Sequence, residues 1–307
     1  MILLSRVVLA ILLMYAFPIT RDYSMAKNKT LSQLKQDILA ITAAESARFA
    51  VAFRDLDGGD SLYLDADTLM HAASTMKVAV MIEVFRQAHL GHFRIDDSLQ
   101  VHNRFASIVD GQPYAIDLPE ASWDATAGRL GQKMPIRELV LHMITVSSNL
   151  ATNLLIDHVG AASVQKSVRA LGADKMQVLR GVEDPWAYEK GLNNTATARD
   201  LSILLEAIVQ HRVVDAAACE EMIGIMLQQK YRDGLPAQLP AAVKVASKSG
   251  SITRICHDAG ILFLPDGRRY VLVVLSRGEP DRDKSAAVIA RLSRLVYDYM
   301  ATKEIHP

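Results

Sequence analysis

The chain has 307 residues, 50% of them hydrophobic and 22% charged, enough to build one large domain or two interleaved ones with ample core. Lysine plus arginine equals aspartate plus glutamate at 34 each, so the net charge is zero and no basic field favours nucleic acid. No long run of like charge, low-complexity tract or internal repeat indicates a tail or a repeat array.

In chain order, residues 1–26 stand apart. "MILLSRVVLAILLMYAF" has one arginine and then an apolar core from Val7 to Phe17, short for a transmembrane helix and suited to a secretory signal. Ser24-Met25-Ala26 offers small residues for cleavage, with Arg21 and Asp22 awkwardly close; an uncleaved anchor or a start at Met25 are the alternatives. Export to the periplasm or exterior is expected, with no stable membrane span after cleavage.

Leu31 to Ala43 has the period of an amphipathic helix, followed by strands from Arg48 to Leu56 and Ser61 to Leu64 around the turn "DGGD". A helical run from Ser74 to about Leu90 stops at Gly91. From there to about Gln238 the pattern is nearly all helix and loop, with helices at Ile136–Leu150, Ser163–Leu171 and Ala196–Gln210. Strands return at Val243–Ser251, Gly260–Leu264 and Tyr270–Ser276, and a helix from about Lys284 to Thr302 closes the pattern. The expected fold is α/β (α+β): an antiparallel sheet with flanking helices, interrupted by an all-helical insertion. Residues 27–73 and 239–307 would form the sheet lobe and 74–238 the helical lobe of one catalytic domain, with a site in the cleft between them.

Cys219 and Cys256 could pair in an oxidising compartment, although two buried thiols are the simpler reading. Neither they nor the nine histidines form a convincing metal-ligand pattern, and His89 and His92 flank a helix end at Gly91. No metal or cofactor is expected.

Ser-x-x-Lys occurs at Ser24/Lys27, Ser32/Lys35, Ser74/Lys77 and Ser163/Lys166, so the pattern alone says little. Only Ser74 stands where strands hand over to a long apolar helix, whose dipole would favour a developing oxyanion. Lys77 lies one turn on, at the head of Val78-Ala79-Val80-Met81-Ile82; buried there, it could lose its proton and act as a base. The plain alternative is a helix N-cap followed by a surface lysine. Three further stretches follow: "VSSN" with Ser147-Ser148-Asn149, "EKGLN" from Glu189 to Asn193, and "SKSGS" with Lys248-Ser249-Gly250.

In this order the motifs resemble those of the class A β-lactamase family within the serine penicillin-recognising enzymes, over about residues 31 to 302. The resemblance implies that Ser74 is the acylated nucleophile and Lys77 a nearby general base. It makes Ser147 the proton relay to the leaving nitrogen, and Asn149 a binder of the acylamino side chain. Lys248 and Ser249, with Gly250, would hold the substrate carboxylate, and backbone N–H groups of Ser74 and Ser251 would form the oxyanion hole. Glu189 would activate the hydrolytic water and Asn193 would hold it. The expected partner is a small β-lactam, acted on by a monomer.

Several positions depart from the family pattern. Ser148 replaces the usual aspartate, Lys-Ser-Gly replaces Lys-Thr-Gly, and "DPWAY" precedes Glu189 in place of an arginine. The loop from Phe105 to Gly131 is long, and the family's arginine partner for the substrate carboxylate is not fixed: His257 falls near that position, with Arg254 and Arg277 as alternatives. These departures keep two other readings in view: a D-alanyl-D-alanine carboxypeptidase or esterase, and a non-catalytic sensor that traps a β-lactam or cell-wall peptide.

Overall fold

The computed structural model describes residues 29–118 and 124–303. The expected leader, 1–26, lies outside the described residues. The polypeptide opens with helix α1 (Leu31–Ala43), then strands β1 (Arg48–Asp55) and β2 (Ser61–Leu64). Short strand β3 (Met70–His71) leads through a 3-10 turn at Ala73–Met76 into α2 (Lys77–His89). Three short strands, β4 (Ser98–Gln100), β5 (Phe105–Ala106) and β6 (Pro113–Tyr114), precede β7 (Lys133–Pro135). Helices α3 (Ile136–Thr145), α4 (Asn149–Val159), α5 (Ala161–Ala170) and α6 (Pro185–Glu189) follow, then β8 (Thr195–Ala196), α7 (Ala198–Val209) and α8 (Ala216–Met226). The long strands β9 (Lys244–Ile252), β10 (Ile255–Phe263) and β11 (Arg269–Arg277) come next, and α9 (Arg282–Thr302) packs on α1.

The main sheet is antiparallel with order β2-β1-β11-β10-β9, so the early and late strands meet across the helical segment. Its strands are buried on both faces, and alternate residues serve two cores. Val51, Phe53, Leu272, Val274 and Leu262 face α1 and α9 through Leu34, Ile38 and Leu292. Ala50, Ala52, Val273, Leu275 and Ala259 face the helical side, where α2 is buried along nearly its whole length. Beta-branched and alanine residues on that face allow the helices to approach closely, and β9 is left as the edge strand bordering the cleft.

The expected helix at 136–150 is two helices. The chain breaks at 146–148, where Ser147 adopts φ +59°. Strand β10 begins at Ile255 rather than Gly260 because Cys256, His257 and Asp258 are all buried in the ladder, a burial that polar residue types conceal from periodicity. Both cysteines are free and buried. Among the described residues no helix is long and apolar enough to cross a membrane, and no group of His, Cys, Asp or Glu is placed to hold a metal ion.

Candidate active site

Ser74 lies inside the 3-10 turn that feeds α2, not at its cap; the capping position is Ala72, which makes no side-chain cap bond. Ala73 before it adopts φ +46°, a conformation that costs a non-glycine residue energy and is maintained only where the surroundings impose it. Strand β9 imposes part of this. A Cβ on Gly250 would lie 2.8 Å from Ser74 N and 3.0 Å from Thr75 N, so only glycine lets the edge strand run this close to the turn. Gly250 therefore has a steric role in bringing Ser249 and Ser251 beside Ser74, and all four border one cleft of about 530 Å³.

Lys77 is fully buried, with no carboxylate in contact among its hydrogen-bond partners. Its Nζ donates to Ser147 O at 2.7 Å, to Ser147 Oγ at 3.2 Å and to Asn149 Oδ1 at 2.7 Å. Burial, reinforced by the Lys248 cation, holds its pKa well below the usual lysine range, against the opposing pull of Asp124 and Glu183. Lys248 is also buried and donates to Ser147 Oγ at 3.1 Å and to Ser249 O at 2.7 Å. Desolvation takes its pKa down to about 7, with the buried Asp258 carboxylate acting in the opposite direction. Ser147 Oγ is thus shared between two lysines, only one helix turn's reach from Asn149.

Between Arg180 and Asn194 the chain forms a loop tied by side-chain hydrogen bonds. Arg180 donates from Nε to Leu192 O at 2.8 Å and from Nη2 to Asn193 Oδ1 at 3.0 Å. Asn194 Oδ1 accepts from the N–H groups of Leu179 and Arg180 at 2.8 and 3.2 Å. Asn153 pins the loop to α4, accepting from Val182 N at 2.6 Å and donating to Val182 O at 3.0 Å. Arg180 thus supplies the arginine absent just before Glu189, through carbonyl and amide partners. Within the loop, Asp184 caps α6, with Pro185 at its first position, and its carboxylate also accepts from Ser107 Oγ and Ile108 N at 3.0 Å each.

This loop separates two glutamates. Glu189 sits exposed at the end of α6 and borders none of the described cavities that contain Ser74, while Asn193 turns its amide oxygen to Arg180. Glu183 lines a cavity of about 450 Å³ with Ser74, Asn149 and Ser251. Its Oε1 accepts from Asn149 Nδ2 at 2.5 Å and its Oε2 from Asp117 N at 3.0 Å, on a backbone with φ +59°. The Glu-x-x-Leu-Asn spacing leads to the glutamate outside this cavity, because α6 occupies the residues between the two. The Asp184-Pro185 pair is the sequence signal for that helix.

His257 borders neither of the cavities shared by Ser74, Asn149 and Ser251. It is 1% exposed, its Nδ1 accepts from Ser276 N at 3.1 Å, and its Nε2 donates to His71 O at 3.0 Å. With both ring nitrogens engaged by backbone and burial lowering its pKa to about 4, it is a neutral strut with no atom left for a carboxylate. Arg254 and Arg277 are exposed on the hairpin turn and the end of β11. Arg232 borders the cleft with Ser249 and Ser251, and so does Arg282, at the start of α9, which pairs with Asp233. Arg282 was not singled out in the sequence, since it lies far along the chain from every motif.

The model of the β-lactamase enzyme family matches residues 33–300, nearly all of the described structure. The chain belongs to this family. A β-lactamase from Bacteroides uniformis is 24% identical over 291 residues, covering 90% of this chain and 94% of its own. A PBP-A variant, solved as its acyl-enzyme complex with penicillin G, superposes with a TM-score of 0.77 at 25% identity, over 90% of this chain and 99% of its own. The β-lactamase from Sphaerobacter thermophilus has the same fold, with a TM-score of 0.74 at 24% identity over 91% of this chain and all of its own. The family brings serine-hydrolase chemistry and the observed α/β architecture, an antiparallel sheet flanked by helices with a helical insertion.

Proposed function

We propose that the protein is a serine β-lactamase that opens the β-lactam amide through an acyl-enzyme on Ser74. The observation that carries this reading is a buried, charge-depleted Lys77 bonded to the same Ser147 and Asn149 that line the Ser74 cleft. As a neutral amine, Lys77 takes the Ser74 proton as Oγ attacks the lactam carbonyl. The N–H groups of Ser74 and Ser251 stabilise the oxyanion, and Ser147 Oγ passes a proton to the leaving ring nitrogen between the two lysines. Lys248, Ser249 and Arg282 attract the substrate carboxylate, and Asn149 orients the acylamino side chain.

Deacylation needs a carboxylate that reaches a water near the ester carbon. Glu183 fits this role because it shares the cavity with Ser74 and contacts Asn149. A second reading is supported by the same contacts. With each oxygen already accepting a hydrogen bond, Glu183 is a poorer base, and a slowly deacylating penicillin-binding protein results.

Intact-protein mass spectrometry and turnover of a chromogenic cephalosporin separate these readings. Wild type should turn over, Ser74→Ala should be inert, and Glu183→Gln should accumulate the acyl adduct with turnover lower by at least ~100-fold. Glu189→Ala should behave like wild type. A wild type that forms a long-lived adduct without turnover selects the second reading. An adduct-accumulating Glu189→Ala would return the base to Glu189.

A further inference from the structure

Two departures from the family pattern, Ser148 in place of aspartate and the long 105–131 loop, meet in space. Ser148 is 2% exposed and its Oγ caps α4 by accepting from Ala151 N at 3.0 Å. Its hydroxyl hydrogen goes to Thr126 Oγ1 at 3.4 Å, a side chain that comes from the long loop and is fully buried. With Thr126 Oγ1 accepting there, its own hydroxyl hydrogen is assigned to His142 Nδ1 at 2.9 Å, the tautomer that completes the chain of bonds. His142 O in turn accepts from Ser148 N at 3.1 Å and from Val146 N at 3.3 Å. The bonds close a ring around the corner between α3 and α4: Ser148 to Thr126, Thr126 to His142, and back to Ser148 through the backbone.

Thr126 gives up something to make this ring. It stands at the cap of the short 3-10 turn Ala127–Arg129, where a threonine hydroxyl ordinarily accepts from the turn's own N–H groups, yet it makes no cap bond. Its backbone N–H is held by Asp124 Oδ1 at 3.0 Å, and the same Asp124 oxygen is 3.9 Å from His142 Nδ1. The corner it braces contains Ser147 at φ +59° and carries all three bonds accepted from Lys77 Nζ. A strained corner of this kind persists only where its surroundings over-determine it.

We propose that Thr126 is a positioning residue, supplied by the 105–131 loop, whose hydroxyl bridge from Ser148 to His142 replaces the missing carboxylate and aims Ser147 and Asn149 at Lys77. It touches no reacting atom. This inference rests on the acyl-enzyme reading of Ser74.

The test is single-turnover acylation of the full chain by a penicillin, comparing wild type with Thr126→Val, Thr126→Ser and His142→Phe. Thr126→Val keeps the shape and removes the hydroxyl; its acylation rate constant should fall at least ~10-fold with the ground-state dissociation constant unchanged, since misplacement of catalytic groups acts on the chemical step. Thr126→Ser should return to within about twofold of wild type. His142→Phe, which leaves the hydroxyl without its acceptor, should reproduce the Thr126→Val loss and serves in its place if that variant does not fold. A Thr126→Val or His142→Phe protein that acylates at the wild-type rate overturns the proposal, as does a folded Thr126→Ser as slow as Thr126→Val. If wild type itself forms no Ser74 adduct, the acyl-enzyme reading fails instead, and Thr126 has nothing to position.

Discussion

Two lysines stand within hydrogen-bonding distance of Ser147 Oγ, and their Nζ atoms donate to hydroxyl, carbonyl and amide oxygens. Both are fully buried, so desolvation acts on each in the same direction, and the Lys248 cation further disfavours charge on Lys77. Carboxylates oppose the shift at both, Asp258 at Lys248 and Asp124 with Glu183 at Lys77; the difference is the neighbouring cation, which adds to desolvation at Lys77 and holds it well below its usual range, while Lys248 stays near 7. One is suited to accept a proton and the other to carry charge. If Lys248 supplies the charge that draws the substrate carboxylate, binding strength follows its protonation, present below pH 7 and lost above it. KM for a penicillin should therefore rise as pH increases through about 7 to 9 at constant ionic strength. Lys248→Arg, which stays cationic, should flatten that rise.

At the scale of elements, the site is an agreement between an edge strand and a helix start. Strand β9 reaches the 3-10 turn only through Gly250, whose missing side chain leaves room for the Ser74 and Thr75 amides. Gly250→Ala would place its methyl against backbone atoms that no rotamer change can move, so β9 has to retreat by several tenths of an ångström. We expect kcat/KM for a chromogenic cephalosporin to fall at least ~10-fold, because the proposed oxyanion donors, the N–H groups of Ser74 and Ser251, belong to the two elements being separated. A melting temperature lower by a few degrees should accompany it. The Arg180–Asn194 loop is the other decisive element. Its pinning by Asn153, Asn194 and Arg180 presents Glu183 to the cavity, while helix α6 carries Glu189 away from it.

Across the whole molecule, His257 joins the segment before Ser74 to the centre of the sheet, from His71 O on one side to Ser276 N on the other. Burial depresses its folded pKa to about 4. A depressed value means that the folded protein binds this proton less readily than the unfolded chain does. The stabilisation is present above the unfolded value near 6.5 and is lost as pH falls towards 4. Between those limits the unfolding free energy should decline by about 1.4 kcal/mol per pH unit from this group. Urea titrations at pH 5 and 7 should show a smaller difference for His257→Gln than for wild type; equal differences would mean that another group governs acid stability.

The expected layout of strands, helical middle, strands and closing helix agrees with the sheet order, because hydrophobic period and turn residues act locally and leave a direct trace in the chain. Ser74, Lys77, Ser147, Asn149 and the Lys248-Ser249-Gly250 run were legible as motifs, and they do come together around one cleft. Spacing did not distinguish Glu183 from Glu189, because a helix of five residues decides which end of a loop faces inward. His257 sat at a plausible register position, yet burial and two backbone partners consumed its chemistry. Arg282 and Thr126 lie away from the motifs in sequence, and folding brings the first to the cleft and the second against Ser148. Local patterning thus determined the elements and the nucleophile's neighbourhood. Tertiary structure alone decided which carboxylate, cation and hydroxyl lie beside the motif residues, since burial, hydrogen-bond partners and close approach arise between segments that are distant in the chain.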